Sequence, residues 1–359
     1  MGQKKNSCFI LGGLGNNGLG SVEFESRLKV LYNGDSSSRI GGSNIMVTKI
    51  FDVVKTARPR QWIKNLTLYA ALIFTGNVLS KALWWKDFWI VTEGVAAFTL
   101  VAVSVYFLND LIDIKSDQAH PFKKLRPIAA GRISKKLAMT MFILAGAVGL
   151  GWSSGLSMLF FGVVAAYWIL QILYSLVLKN VEVVDVFVIA LGFFLRVFAG
   201  AIVINAHLSI WFLLCVISVS LFLAVGKRRA ELAILTEKGA AAHRKVMGKY
   251  TTDILDRYLG MFATSSYLSW ALFTFNFYEQ APTNVPASLV LLSRTLTINK
   301  WLMATIPVVI FGIMRYIRVI YDGARAETPE KVILTDLPLL TAVAMWGGIV
   351  IAVLYLGPQ

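Results

Sequence analysis

A succession of apolar runs, each about long enough to cross a lipid bilayer, constrains this chain more than any other feature. From residue 66 onward nine such segments follow one another, over about 66–82, 88–109, 137–153, 157–177, 183–204, 209–226, 258–277, 300–318 and 336–356. A helix needs ~20 residues to cross the ~30 Å of hydrocarbon in a bilayer. In that medium each backbone N–H and C=O must be satisfied internally, so only helices or a closed barrel can span it. The segments lack the alternation of barrel strands. The sequence therefore predicts an all-α integral membrane protein, a bundle of nine transmembrane helices. Composition agrees: of 359 residues, 57% are hydrophobic and only 15% charged, more apolar surface than a soluble domain can bury. The brief apolar stretch 285–297 is expected to be an interfacial segment on the outer side.

Residues 1–45 are rich in Gly, Ser and Asn and lack sustained periodicity. They are expected to be a disordered leader or an appended segment, with Met46 reading as a natural start and 46–359 as one membrane domain. Cys8 and Cys215 offer neither a disulfide framework nor metal-ligand spacing. The histidines likewise lack ligand spacing.

The net charge of +15 raises nucleic-acid binding as an alternative, but the placement of the basic residues excludes it. Lys115, Lys123, Lys124, Arg126, Arg132, Lys135 and Lys136 fall between the second and third segments. Lys227, Arg228, Arg229, Lys238, Arg244, Lys245, Lys249 and Arg257 fall between the sixth and seventh. By the positive-inside rule those loops are cytoplasmic. Parity puts Arg58, Arg60 and Lys64, with Arg325 and Lys331, on the same side. The chain is thus expected in the cell membrane with its N-terminus inside and its C-terminus outside. The one-sided excess of cations also suits an anionic substrate.

The chemistry concentrates at the end of the second segment, in Asn109-Asp110-Leu111-Ile112-Asp113-Ile114-Lys115-Ser116-Asp117. Carboxylates at a membrane edge are costly and mark function. On a helix Asn109, Asp113 and Asp117 follow at i, i+4, and Asp110 joins them at i+3 from Asp113, so all four can converge. Clustered carboxylates repel one another unless a cation lies between them, and hard oxygen donors favour Mg²⁺, which also recruits substrate phosphates. Just downstream, Lys124 and Arg126 lie close enough to meet the same phosphates, in a loop stiffened by Pro121 and Pro127.

The pattern Asn109-Asp110-x-x-Asp113-x-x-x-Asp117, followed by Lys124-x-Arg126-Pro127-Ile128-x-x-Gly131, resembles the first Asp-rich motif of the UbiA prenyltransferase superfamily. The resemblance covers roughly residues 50–356. It implies a UbiA-like bundle in which the aspartates hold Mg²⁺ on a substrate diphosphate. Most of that superfamily carries a second Asp-rich motif after helix six, whereas this chain has Gly226-Lys227-Arg228-Arg229-Ala230-Glu231-Leu232. Together with Arg58-Pro59-Arg60-Gln61-Trp62-Ile63-Lys64-Asn65 and Phe194-Leu195-Arg196-Val197-Phe198-Ala199-Gly200, this looks like the branch of decaprenyl-phosphate phosphoribosyltransferases. Members of that branch move 5-phosphoribose from 5-phosphoribosyl 1-diphosphate to a polyprenyl phosphate, releasing diphosphate, on the way to cell-wall arabinan.

Both substrates of such a reaction are polyanions, which suits one Mg²⁺ site and an excess of cations. Asp110, Asp113 and Asp117, with Asn109, are the candidate metal ligands and catalytic residues, and Lys124 and Arg126 would neutralise the leaving diphosphate. Arg58, Lys64 and Asn65, before the first span, are candidates for phosphate of either substrate. Lys227, Arg228 and Glu231 are candidates for the donor's 5-phosphate and ribose hydroxyls. Arg196, deep in the fifth segment, requires an anionic partner. Either the acceptor phosphate or Asp185 would serve, although eleven helical residues put Asp185 about 16 Å away. Tyr250, Tyr174 and Lys179 are weaker candidates. The competing readings are prenyl transfer from a diphosphate to an aromatic acceptor and, more distantly, a transporter. Phe- and Leu-rich helix faces suit membrane lipid or a second copy of the chain equally, so a homo-oligomer is compatible with the sequence.

Overall fold

The structure, a computed structural model, describes residues 42–74, 81–119, 123–238, 250–277, 301–321 and 329–356. The expected leader up to residue 41 and the interfacial stretch 285–297 lie outside them. So do His120, Pro121, Arg244, Lys245, Lys249 and Arg325. Residues Lys49–Gln359 form one compact unit and Met1–Thr48 another, of which only the start of the first helix is described.

The described residues contain helices and no strand. In chain order they are α1 (Gly42–Ala57), a 3₁₀ stretch Pro59–Leu68, α2 (Tyr69–Phe74), α3 (Lys81–Ile112), α4 (Ile114–Ala119), α5 (Lys135–Leu156), α6 (Met158–Leu176), α7 (Val184–Val203), α8 (Ile210–Lys238), α9 (Thr252–Asn276), α10 (Ile306–Tyr321), α11 (Pro329–Thr335) and α12 (Leu337–Ile351). Each long helix packs on the next: α5 on α6, α6 on α7, α7 on α8, α8 on α9, and α10 on α12. α3 closes one side by lying against α5, α6 and α7.

Among the described residues seven helices are long and apolar enough to cross a membrane. Their outer faces confirm the solvent they were built for: Ile143 is 59% exposed, Leu159 73% and Ile210 79%. Water would not tolerate such a continuous apolar surface, whereas lipid requires it. All nine expected segments meet helical chain, but two differ in character. The seventh, α9, carries Ser265, Ser266 and Ser269, whose hydroxyls bond to α8 or back to their own helix, and it is not among the seven apolar spans. The first is not one regular helix, because a ten-residue 3₁₀ stretch precedes the six-residue α2. A 3₁₀ run of that length is unusual and marks a constraint.

The constraint is a backbone approach to α7. A Cβ on Gly200 would stand 2.0 Å from the carbonyl oxygen of Leu68, so only glycine lets the two segments meet. The buried residues Leu68, Leu72, Phe98, Val101, Tyr167 and Ala199 form one core around that crossing. A second core, from Val186 through Leu255 to Ile320, joins α7, α8, α9 and α10. A third core, of Ala57, Phe107, Ile128 and Ile133, packs against Leu111 and Ile114 of the acidic motif.

Candidate active site

α3 delivers the acidic motif. The α-helix stops at Ile112, but Asp113 N–H still donates to the Asn109 carbonyl at 3.0 Å and Asp117 N–H to that of Asp113 at 2.8 Å. Helical phase therefore survives the break. The loop that follows folds back on the motif through a turn at Gly131, whose φ of +74° lies in the left-handed region that glycine occupies at no steric cost.

Three cations from three elements close on the three carboxylates. Arg58 donates to Asp110 through a close hydrogen bond. Arg126 Nη1 bridges Asp110 and Asp117 at 3.1 and 2.7 Å. Lys179, in the short 3₁₀ turn Leu178–Asn180, reaches Asp113 at 2.5 Å. The expected convergence of all four motif residues is thus split: Asp110 and Asp117 share one guanidinium, while Asp113 turns to the α6–α7 connection. Among the described residues no trio of Asp, Glu, His or Cys side chains is grouped to hold a metal ion alone. The donor set nevertheless suits Mg²⁺, which takes one or two carboxylates and completes its shell with water and phosphate.

Arg58 occupies a strained position. Its φ is +53° and its guanidinium lies over the Tyr106 ring at 5.3 Å. Pro59 disfavours the α region for the residue before it, so α1 must end at Ala57. Left-handed backbone at a non-glycine residue persists only where surrounding contacts over-determine it. Here those contacts are Asp110 and Tyr106. A cavity of about 350 Å³ opens beside them, lined by Lys55, Thr56, Arg58, Asp110, Leu125, Arg126 and Pro127.

A second polar cluster lies around Arg228. This side chain is 1% exposed, and its three nitrogens donate to Asp185 at 2.6 Å, Glu231 at 2.6 Å and Tyr174 at 3.1 Å. Tyr250 donates its hydroxyl to the other Asp185 oxygen and accepts the Val183 N–H, both at 2.8 Å. Burial pushes the Tyr250 phenol well above its usual range. Val183 has a φ of +66°, strain that this bond helps to hold. The α6–α7 segment ties both clusters to one end of the bundle, since Tyr174 reaches Arg228 while Lys179 reaches Asp113.

Among the described residues Arg196 pairs with no carboxylate, and Asp185, the partner considered for it, is taken by Arg228 and Tyr250. Its Nε donates to Asn65 Oδ1 at 2.9 Å, Nη1 to the Gly192 carbonyl at 2.8 Å and Nη2 to the Tyr167 hydroxyl at 2.7 Å. The faces of Tyr167, Phe193 and Phe98 complete its surroundings at 4.7, 5.5 and 5.6 Å. Neutral dipoles and π-faces stand in for a counter-ion. Asn65 is buried and donates its other end to Thr99, so it braces Arg196 against α3.

The structure thus gathers Arg58, Asp110, Asp113, Asp117 and Arg126 in one site and adds Lys179, which sequence ranks below them. Lys124 is exposed, and Lys64 and Lys227 are half-buried. Arg228, Glu231 and Tyr250 belong to the second cluster, and Arg196 and Asn65 to a third group. A lone lysine between two long apolar runs was the available signal for Lys179. Nothing in the sequence marked Asp52, which accepts Arg132 Nε at 3.0 Å and pins α1 to the motif's loop.

A decaprenyl-phosphate phosphoribosyltransferase of Mycolicibacterium smegmatis is 33% identical over 308 residues, 84% of this chain and 92% of its own. Its counterpart from Corynebacterium glutamicum is 30% identical over 311 residues, 86% of this chain and 88% of its own. Among solved structures, a UbiA homolog from Archaeoglobus fulgidus bound to GPP and Mg²⁺ superposes with a TM-score of 0.59 at 18% identity, covering 84% of this chain and 99% of that one. The description of the UbiA prenyltransferase family matches residues 69–332, a stretch that runs from α2 through the acidic motif to α11. With the helical bundle, the carboxylates at the end of α3 and these relatives all in agreement, the chain is a multi-pass membrane transferase and belongs to the UbiA prenyltransferase family.

Proposed function

We propose that this protein transfers 5-phosphoribose from 5-phosphoribosyl 1-diphosphate to a polyprenyl phosphate such as decaprenyl phosphate, releasing diphosphate. The observation that carries the reading is the collar of Arg58, Arg126 and Lys179 closed on Asp110, Asp113 and Asp117 beside a cavity of about 350 Å³. Each cation is paired with a carboxylate. A Mg²⁺-diphosphate brings its own cation for the carboxylates and its own anions for the basic side chains, so both sets exchange partners without leaving a charge unpaired. The names of the relatives support the same donor and acceptor.

Asp113 and Asp117, with Asp110 and Asn109, would hold the ion. Mg²⁺, when bound, would supply charge neutralisation for the departing diphosphate. Arg126 and Lys179 would donate to its oxygens as negative charge develops there. An oxygen of the acceptor phosphate bonds to the anomeric carbon while the bond from that carbon to the diphosphate oxygen breaks. The acceptor is already ionised, so no general base is needed, and positioning does the rest. Arg58, Lys64 and Lys124 would bind phosphate at the mouth of the site. Lys227 and Glu231 would meet the donor's 5-phosphate and ribose hydroxyls, with Arg228, Asp185 and Tyr250 holding that wall in shape.

The same reading puts the site and the N-terminus on the cytoplasmic side, with the C-terminus outside, from the one-sided distribution of Lys and Arg. It also makes the product a precursor for cell-wall arabinan. The test is lipid phosphoribosylation by the purified protein given labelled 5-phosphoribosyl 1-diphosphate, decaprenyl phosphate and Mg²⁺, with an EDTA control. Label entering lipid only with Mg²⁺ is the expected result. Reaction of an isoprenyl diphosphate with an aromatic acceptor instead would replace this donor and acceptor while leaving the fold untouched.

A further inference from the structure

α1 has two faces with opposite chemistry. Asp52 and Thr56 are buried, and Asp52 is held by Arg132. Ile50, Phe51 and Val54, which share the other side of the helix at i, i+1 and i+4, are 56%, 66% and 47% exposed. A lone exposed apolar residue needs no explanation, but a helical stripe of them does.

The stripe does not end with the helix. In the 3₁₀ stretch that follows, Trp62, Ile63 and Leu66 are exposed as well, and Ile73 of α2 carries the apolar surface on toward the spans. Trp62 donates its indole N–H to the Ala57 carbonyl at 2.9 Å, which locks the ring at the end of α1. An indole with an apolar body and a bonded polar edge is the side chain of a membrane–water boundary. Lys49, on the Asp52 face of α1, and Arg60, in the 3₁₀ stretch, are exposed.

We propose that α1 lies in the plane of the membrane interface, with Ile50, Phe51 and Val54 sunk into the phospholipid of the leaflet that carries the diphosphate site. Continuity of exposed apolar residues along the chain toward the spans and the basic residues beside them both match lipid, whose phosphates attract Lys49 on the polar face and Arg60. A second copy of the chain would oppose those cations with the same charges. The choice of leaflet rests on the orientation proposed above, whereas the docking on lipid does not.

The experiment uses full-length protein with Cys8 and Cys215 replaced by Ala, Phe51→Cys labelled with an environment-sensitive fluorophore, and reconstitution in phosphatidylcholine–phosphatidylglycerol nanodiscs. Nitroxide near the top of the acyl chains should quench the label roughly twofold or more, with aqueous iodide having little effect, as for a shallow interfacial helix. A matched label at Met345, exposed on α12, reports quenching within the spans and confirms the fold of the labelled protein. Quenching of position 51 by iodide but not by lipid nitroxide would place α1 in water and overturn the proposal. Protection from both quenchers would put protein over the stripe and overturn it equally. The readout needs no substrate, so it stands or falls apart from the proposed reaction.

Discussion

The two charged clusters at the end of the bundle are both built on pairs of arginine with carboxylate and differ in how far their cations are buried. Around Asp110, Asp113 and Asp117 the cations are Arg58, Arg126 and Lys179, which retain 19%, 28% and 9% exposure. Each arrives from a separate element, and in the proposed reaction each would leave its carboxylate for a phosphate. Around Arg228 the guanidinium and Asp185 are 1% and 0% exposed, and every nitrogen of Arg228 is bonded. That network has no exchangeable cation. An open set of ion pairs can trade partners with a polyanion, whereas the buried Arg228–Asp185 pair holds helices together and leaves Glu231, 30% exposed, to face a substrate.

The contrast is broken most directly at Asp113. Asp113→Ala should lower kcat/KM by at least about a thousandfold, roughly 4 kcal/mol, with the protein still eluting as one folded species. Retained turnover would remove this cluster from the chemistry. Arg228→Ala should do the reverse and cost about 3 kcal/mol or more of stability, because it leaves Asp185 charged and unpaired in the bundle. Thermal unfolding in detergent followed by size-exclusion fluorescence reads that loss. Adding Asp185→Asn to Arg228→Ala should recover part of it, a non-additivity that marks a shared network.

How much of this was legible in the sequence follows the same division. The spans were legible because hydrocarbon forces long apolar runs, and the motif was legible because Asn109, Asp110, Asp113 and Asp117 keep helical spacing even across the break at Asp113. Arg126 followed from proximity in the chain. Lys179 could not be assigned from spacing, since it reaches Asp113 from 66 residues away through the turn between α6 and α7. The saturation of Arg228 was hidden for the same reason: its partners Tyr174 and Asp185 come from α6 and α7. Sequence offered the acceptor phosphate or Asp185 for Arg196, whereas the structure surrounds Arg196 with Asn65, Tyr167 and aromatic faces. Period and composition expose what repeats along one helix, and pairings between helices need the fold.

A finer probe compares substitutions that keep charge. Arg126→Ala should lower kcat/KM about a hundredfold, close to 3 kcal/mol, as for loss of one charge-assisted contact in the transition state. Arg126→Lys should recover only part of this, because one ammonium can keep the contacts that Nη1 makes to Asp110 and Asp117 but loses the guanidinium's remaining donors for a bidentate phosphate contact. Full recovery by lysine would show that only the charge matters at this position.

The smallest effect belongs to Tyr250, and it separates a ligand from a brace. Tyr250→Phe removes one donor to Asp185 and one acceptor for the Val183 N–H, which should cost about 1–2 kcal/mol of stability. If Tyr250 touched the donor, KM would rise. As a brace it should leave KM near that of the parent protein. The pH dependence carries the same information. Burial raises the folded-state pKa of this phenol, so above about pH 10 a tyrosine in the unfolded chain loses its proton while the folded one keeps it. The unfolded state is then favoured as pH rises, and the stabilisation present below pH 10 is lost. Tyr250→Phe should flatten that alkaline loss in a thermal-unfolding series, whereas a phenol already open to solvent would make the two proteins run parallel.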